Sequence, residues 1–482
     1  MRMMKIPRIL LAAGASGSGK TLITCGLLQV LVNRGIKTAS FKCGPDYIDP
    51  MFHSRVIGTK SRNLDTFFTS GERTRYLLGM NAKDCEIAVM EGVMGYYDGV
   101  GGTTTRASAY DLSCVTDTPV ILIVNSKGMS VSLGAYIKGF VEYKKDSHIR
   151  GVIFNQMSPM LYPRMKKLVE EEVGIRVLGY VPKVEDCVIE SRHLGLVLPE
   201  EIPELKERLQ KLSEVLEKSL DVEGILALAK EAPQLLVPDE LPEEAFHWQI
   251  PCVSPESGSA SCSNGGNRLR IGLAKDEAFC FFYEDNFRLL RQMGAELIPF
   301  SPIHDEKLPE NLDGILLYGG YPELNAKALS NNVSMRHEIA NAIKSGMPCM
   351  AECGGFMYLH EEMEGMDGEF YQMAGVIPGR VNRTPRLTRF GYITLEQEKE
   401  VLGEADFGPV PAHEFHYFDS ENCGSDFHAA KPESSRGWEC IHGNERMLAG
   451  FPHLYYYANP RIPQAFLKRC LDYRKERIQG ET

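Results

Sequence analysis

Residues 14–21, GlyAlaSerGlySerGlyLysThr, fit the pattern GxxxxGK[ST] and lie between an apolar run and a helical pattern. Glycines in such a loop turn backbone N–H groups inward around phosphate oxygens, and the helix N-terminus adds partial positive charge. Lys20 is placed to reach the outer phosphates, and the Thr21 hydroxyl to ligate Mg²⁺. Gly14, Gly17, Gly19, Lys20 and Thr21 are the expected nucleotide site, with ATP as co-substrate and Mg²⁺ as cofactor.

Phosphoryl chemistry also needs carboxylates. PheLysCysGlyProAspTyrIleAspPro (41–50) carries Lys42, Asp46 and Asp49 where Gly44 and Pro45 end a strand. MetGluGlyValMetGlyTyrTyrAspGly (90–99) closes an apolar strand with Glu91, as a Walker B acid would, and follows it with Asp98. A lone exposed aspartate is most often simply solvated. Four acids after successive strands beside a phosphate loop point instead to metal and phosphoryl chemistry, with Thr21, Asp46 and Glu91 as the expected metal set. Asn155, ending GlyValIlePheAsn, suits a purine edge as well as a plain strand cap. Arg192 and His193, in SerArgHisLeuGlyLeu, are candidates for holding an anionic substrate, although the pattern alone reads more simply as a surface turn.

A second kind of chemistry is written in the other half. The apolar run 347–352 ends in Cys353, followed by Gly354, Gly355 and a helical pattern. A strand-to-helix elbow of this kind exposes a nucleophile, and the helix N-terminus is expected to lower the thiol pKa. Upstream, LeuLeuTyrGlyGlyTyrProGlu (316–323) puts Gly319 and Gly320 after another strand; with Gly354 they form the expected oxyanion hole. A base is required too, and His453, His413 and His416 are the available imidazoles. Taken singly, Cys353 would be read as a buried structural thiol; elbow and histidine together reverse that.

These residues need sheets to position them. Apolar β-rich runs at 9–13, 38–41, 87–91, 120–125, 151–155 and 176–180 alternate with helical segments, which implies a doubly wound parallel sheet. Residues 199–230 carry Glu, Lys and Leu at helical spacing, and a Pro-, Ser- and Gly-rich stretch follows. A second strand–helix alternation begins at 270–274 and continues through 296–300, 314–317 and 348–352. The expected organisation is an ATP-dependent domain over 1–235, a linker over 236–268 and a second α/β domain over 269–475.

The 482 residues suffice for two or three domains with real cores. The net charge of −11, from 53 basic and 64 acidic residues, leaves no electrostatic footprint for nucleic acid. No apolar window is long enough for a membrane span. Thirteen cysteines, an odd number without a CxxC pair, fit a reducing cytoplasm. A homodimer is an allowed assembly.

The phosphate loop, LysCysGlyProAspTyrIleAspPro, GluGlyValMetGlyTyrTyrAspGly, ArgHisLeuGly, GlyGlyTyrProGlu, GluCysGlyGlyPheMetTyrLeu and the late histidine together resemble the cobyrinate a,c-diamide synthase family over nearly the whole chain. The resemblance implies a dethiobiotin-synthetase-like P-loop amidoligase joined to a class I glutamine amidotransferase. It also implies amidation of the a and c acetates of a corrinoid with ATP and glutamine. By the same resemblance Cys353 is the nucleophile and His453 its base. Asp46, Asp49, Glu91 and Asp98 serve magnesium, ATP and the carboxylate, and Tyr47 and Ile48 lie against the macrocycle. Ammonia made at Cys353 has to reach the acyl phosphate, so the two active faces are expected to pack towards each other.

Three departures stand out. Ordinary class I amidotransferases place a glutamate two residues after the histidine, but here Leu454 and Tyr455 follow His453, implying a Cys–His dyad. Asn125 stands where an Asp is usual. Ala15 stands where partition and septum-site ATPases carry a signature lysine, which disfavours a nucleotide switch. Close relatives that amidate nickel sirohydrochlorin share the motif order, so that related tetrapyrrole is the alternative substrate.

Overall fold

The computed structural model describes residues 1–184, 191–192, 195–196, 205–251 and 268–480. It divides into two compact units, Met1–Leu241 and Pro242–Thr482.

The first unit is built on β1 (Arg8–Ala13), β2 (Thr38–Cys43), β3 (Lys60–Leu64), β4 (Ile87–Glu91), β5 (Val120–Asn125), β6 (Ile149–Asn155) and β7 (Arg176–Val181). They form one sheet in the order β3-β2-β4-β1-β5-β6-β7, every neighbouring pair parallel. The central strands are buried throughout apart from Asn125 at the end of β5, as continuous apolar runs in a sheet covered on both faces require. Helix α1 (Lys20–Asn33) follows β1, and short α2 (Ile48–Phe52) follows β2.

The long helical pattern near residue 200 becomes two helices, α3 (Leu205–Ser219) and α4 (Val222–Glu231), because the Asp221 carboxylate caps the second by accepting from the Gly224 N–H at 2.8 Å. Leu205, Leu209, Leu212 and Leu216 recur at helical spacing and are buried. Gly26 of α1 leaves the room they need, since a Cβ there would meet Leu216 at 2.3 Å. Each such leucine contributes about 1.5–3 kcal/mol on full burial. The stretch expected as linker from 236 begins inside a short strand, Leu235–Val237, which pairs antiparallel with Arg2–Met4. This short apolar run finds a partner at the N-terminus that composition alone did not indicate.

The second unit carries β8 (Leu269–Ala274), β9 (Ala295–Phe300), β10 (Gly314–Leu317), β11 (Cys349–Glu352) and, much later, β14 (Met447–Gly450). These run parallel in the order β9-β8-β10-β11-β14, with His442–Gly443 antiparallel at the edge. Helix α5 (Gly354–Tyr358) leaves β11. A separate five-stranded antiparallel sheet includes β12 (Arg389–Gln397), β13 (Val410–His416) and β15 (His453–Leu454). The α/β class expected for both halves is what the structure has, the added antiparallel layer apart. Among the described residues no helix is long and apolar enough to cross a membrane.

Candidate active sites

In the first unit the loop between β1 and α1 is held from behind. Gly19 has φ +91°, a conformation side chains disfavour, and a Cβ there would fall 2.2 Å from Asn155 Nδ2. Asn155 Nδ2 donates to the Ser18 carbonyl at 2.9 Å, and its Oδ1 accepts from the Gln156 N–H at 3.0 Å. Both ends of the buried carboxamide are engaged beneath the loop, where Asn155 acts as a brace. Lys20 Nζ donates to the carbonyls of Met94 (2.6 Å) and Ala15 (3.3 Å).

The acids converge on one lysine. Lys42 at the end of β2 forms ion pairs with Asp49 and, at 2.9 Å, with Glu91. Thr21 Oγ1 donates to the same Glu91 Oε1 at 2.7 Å. Burial opposes the Lys42 charge, but Asp49, Glu91 and Asp46 outweigh it and hold the ammonium well above its usual pKa. Asp46 Oδ1 accepts from the amides of Ile48 (2.7 Å) and Asp49 (3.2 Å), opening α2. Burial and neighbouring Asp49 push its carboxyl up to about 7. Asp98 is exposed and accepts from the Gly95 N–H at 3.0 Å.

Among the described residues no group of three or more His, Cys, Asp and Glu forms a metal cage. Mg²⁺ ordinarily takes one or two protein oxygens and completes its octahedron with phosphates and water. Thr21 beside Glu91 fits that pattern, the more so because buried Glu91 Oε2 has no hydrogen-bond partner.

The macrocycle expectation needs correction at Ile48. Residues 48–52 are helical rather than extended, and the turn places Ile48 with Met51 and Phe52 on the inward face, 3% exposed. Tyr47 stays half-buried at the helix start. The backbone of Ser191–Arg192 pairs with Gly195–Leu196, and that pair lies beside α2. His193 and the Arg192 side chain lie outside the described residues. Asn125 is exposed and accepts from the Lys127 N–H at 3.1 Å. Sequence reasoning missed His53, fully buried, with Nε2 3.7 Å from Glu91 Oε2 and a pKa lowered by burial to about 4.

In the second unit Cys353 sits between β11 and α5 at φ +45°, ψ −105°, a strained conformation typical of a nucleophile elbow. Its N–H donates to the Gly450 carbonyl at 2.8 Å, tying the elbow to β14. Close approaches define the surroundings. A Cβ on Gly319 would lie 2.8 Å from His453 Cε1 and 3.5 Å from Cys353 Cβ, so the three residues meet at one point. A Cβ on Gly354 would come within 3.2 Å of the Gly320 nitrogen, bringing the expected oxyanion residues together.

Among the candidate bases, His453 is the one beside Cys353. His413 stacks behind it with ring centroids 4.8 Å apart, and His416 is occupied by Glu414 at 3.0 Å. The thiol differs from expectation: burial, then Glu323, raise its pKa instead of the helix end lowering it. Five residues of helix supply too little field to offset complete desolvation. Burial and His416 likewise lower His453 to about 3, so thiol and imidazole rest neutral. Also missed was Glu352, whose Oε2 lies 3.7 Å from His453 Nδ1. The available signal was an acid ending an otherwise apolar buried strand.

Together the sites define a class of protein, a P-loop nucleotide-binding unit joined in one chain to a glutamine amidotransferase unit. Residues 9–196 match the family model for the CobQ/CobB/MinD/ParA nucleotide binding domain, and residues 270–457 match that for the CobB/CobQ-like glutamine amidotransferase domain. Cobyrinate a,c-diamide synthase of Caldanaerobacter subterraneus subsp. tengcongensis is 36% identical over 96% of this chain and 98% of its own. The enzymes of that name from Thermoplasma volcanium (36% identical, 98% of this chain and 99% of theirs) and Listeria innocua (37%, 94% and 97%) are similar throughout. The chain belongs to the cobyrinate a,c-diamide synthase family.

Proposed function

We propose that the chain amidates the a and c acetate carboxylates of cobyrinate, consuming ATP and drawing ammonia from glutamine. Residues 1–235 serve as the synthetase and 269–475 as the glutaminase. The observation that carries this reading is the coexistence of two complete constellations, Lys20–Thr21–Glu91 under a phosphate loop and Cys353–His453 at an elbow.

A carboxylate is a poor electrophile, so its oxygen attacks the γ-phosphorus of ATP, ADP departs and an acyl phosphate forms. Lys20 neutralises charge developing on the transferred group. Thr21 and Glu91 would hold Mg²⁺, which supplies Lewis-acid neutralisation of the phosphates when bound. In the other unit the Cys353 sulfur attacks the glutamine side-chain carbonyl while His453 takes the thiol proton. The Gly320 and Gly354 amides serve the oxyanion, and the proton leaves with ammonia. Water then hydrolyses the thioester. Ammonia displaces phosphate from the acyl phosphate to give the amide.

The test is mass spectrometry of products from cobyrinate and nickel sirohydrochlorin offered separately with ATP, Mg²⁺ and glutamine. Two amidations on cobyrinate are expected. Two on the nickel compound alone would assign the related tetrapyrrole, and none on either would overturn the reading.

A further inference from the structure

His453 lacks the usual orienting glutamate, and the residue two positions on cannot substitute for it. Tyr455 is buried and directs its hydroxyl to Asp285 Oδ2 at 3.2 Å. Glu352 approaches from a different strand. Its Oε2 lies 3.7 Å from His453 Nδ1 and accepts the Leu454 N–H at 3.3 Å, so the carboxyl is anchored to the peptide that follows the histidine. Both side chains are 3% exposed, and Glu352 Oε1 is buried without a hydrogen-bond partner. A buried carboxyl with an uncommitted oxygen costs free energy, and packing alone does not require one.

We propose that Glu352, the residue immediately before the nucleophile, is the positioning carboxylate of the glutaminase site. It acts through His453: when the 3.7 Å approach closes to a hydrogen bond in the reacting complex, a carboxylate accepting from Nδ1–H keeps the Nε2 lone pair for the thiol proton and stabilises the imidazolium once that proton has moved. The architecture couples the two functions. Glu352 pairs with Gly450 in the β11–β14 ladder, and the Cys353 N–H donates to the same residue's carbonyl, so one strand end sets the thiol and the group that orients its base. On its other sides Glu352 faces the phenols of Tyr318 and Tyr456, hydrogen-bonded to each other at 2.9 Å. His413 and His416 face the imidazole, while Glu323 and Glu414 act on the thiol. Burial pushes the Glu352 carboxyl well above the usual carboxylate range. Deprotonation therefore belongs to the acid limb of glutamine hydrolysis.

The inference rests on Cys353 being the glutaminase nucleophile, so the full-length Cys353→Ala protein is assayed alongside Glu352→Gln and Glu352→Asp. In Glu352→Gln, kcat for glutamine hydrolysis should fall by about 10²–10⁴ with KM for glutamine nearly unchanged, because the orienting charge goes while the shape stays. Glu352→Asp should recover part of the rate. The acid limb seen in the wild-type pH profile should be missing from Glu352→Gln. A Glu352→Gln rate within threefold of wild type, or an unchanged acid limb, would overturn the proposal. So would parallel loss of glutamine hydrolysis and ammonia-supported synthesis in both Glu352 variants, which marks a purely structural role. Glutamine hydrolysis surviving in Cys353→Ala would instead defeat the reading beneath it.

Discussion

Lys42 meets Asp49 and Glu91 in the first unit, and these three charges are joined by ion pairs. Cys353 and His453 in the second unit stand among carboxyls, imidazoles and phenols, and burial holds both neutral. The first site carries standing charges before any ligand arrives, whereas the Cys353–His453 pair becomes charged only when a proton moves within it. The contrast follows from the chemistry each is built for. Phosphoryl transfer develops negative charge on a group that is already anionic, so standing cations are useful. The thiol attack proposed for Cys353 creates an ion pair from neutral partners, and burial favours the protonated thiol.

The sharpest break in this contrast is Cys353→Ala. Synthesis from glutamine should fall by at least about 10³-fold, while synthesis from ammonium salts continues, as measured by product formation with each nitrogen donor. Loss of both would mean that the two chemistries are not divided between the units. Next in size, Lys20→Ala should lower synthesis by about 10² or more with either donor, because a charge contact to the transferred phosphoryl group is gone. Retention of ATP-dependent turnover would remove Lys20 from the site.

Lys42→Met tests the standing charge itself. Leaving Asp49 and Glu91 buried beside an apolar side chain should cost about 3–5 kcal/mol in denaturant unfolding of the first unit. A cost below about 1 kcal/mol would show that water or protonation already satisfies the acids.

The smallest effect compares buried histidines. Burial lowers His53 in the first unit and His360 in the second to about 4. An unfolded histidine binds its proton near pH 6.5, so between about 6.5 and 4 the unfolded chain holds more protons. Their stabilisation is complete above that window and is lost as pH falls through it. His53→Phe and His360→Gln should each flatten the decline in urea-unfolding free energy between pH 7 and 4.5. Unchanged slopes in both would place the acid sensitivity elsewhere.

What was legible in sequence follows from how local each signal is. The phosphate loop and cysteine elbow are contiguous, and the parallel strands of both units advertise themselves as unbroken apolar runs. β3, LysSerArgAsnLeu, was not recognised as a strand: it lies at the sheet edge, with polar side chains that carry no apolar period. The antiparallel layer containing β12, β13 and β15 was hidden for another reason: β12 and β13 are interior strands of mixed polar and apolar composition, and β15 is only two residues long. The strand-end acid at Glu352 was visible, but its partner was not, because 102 residues separate it from Leu454; only the pairing of β11 with β14 makes them neighbours. Ile48 was misjudged because a five-residue helix too short to show a period turns it inward.

At residue 355 a side chain would collide with the Leu317 carbonyl oxygen, 2.0 Å from where a Cβ would stand, whereas at residue 14 the nearest obstacle is the Tyr136 hydroxyl. The two collisions have different evolutionary weight. Both the Tyr136 phenol and the Phe140 ring, 2.8 Å from where that Cβ would stand, are side chains that can be traded for smaller ones, so replacement at 14 is open to epistatic rescue by changes at 136 and 140. A carbonyl belonging to the backbone cannot be exchanged by any substitution. Drift near the thiol is thereby channelled away from the elbow, and adaptation of that unit must enter through positions whose neighbours are themselves replaceable.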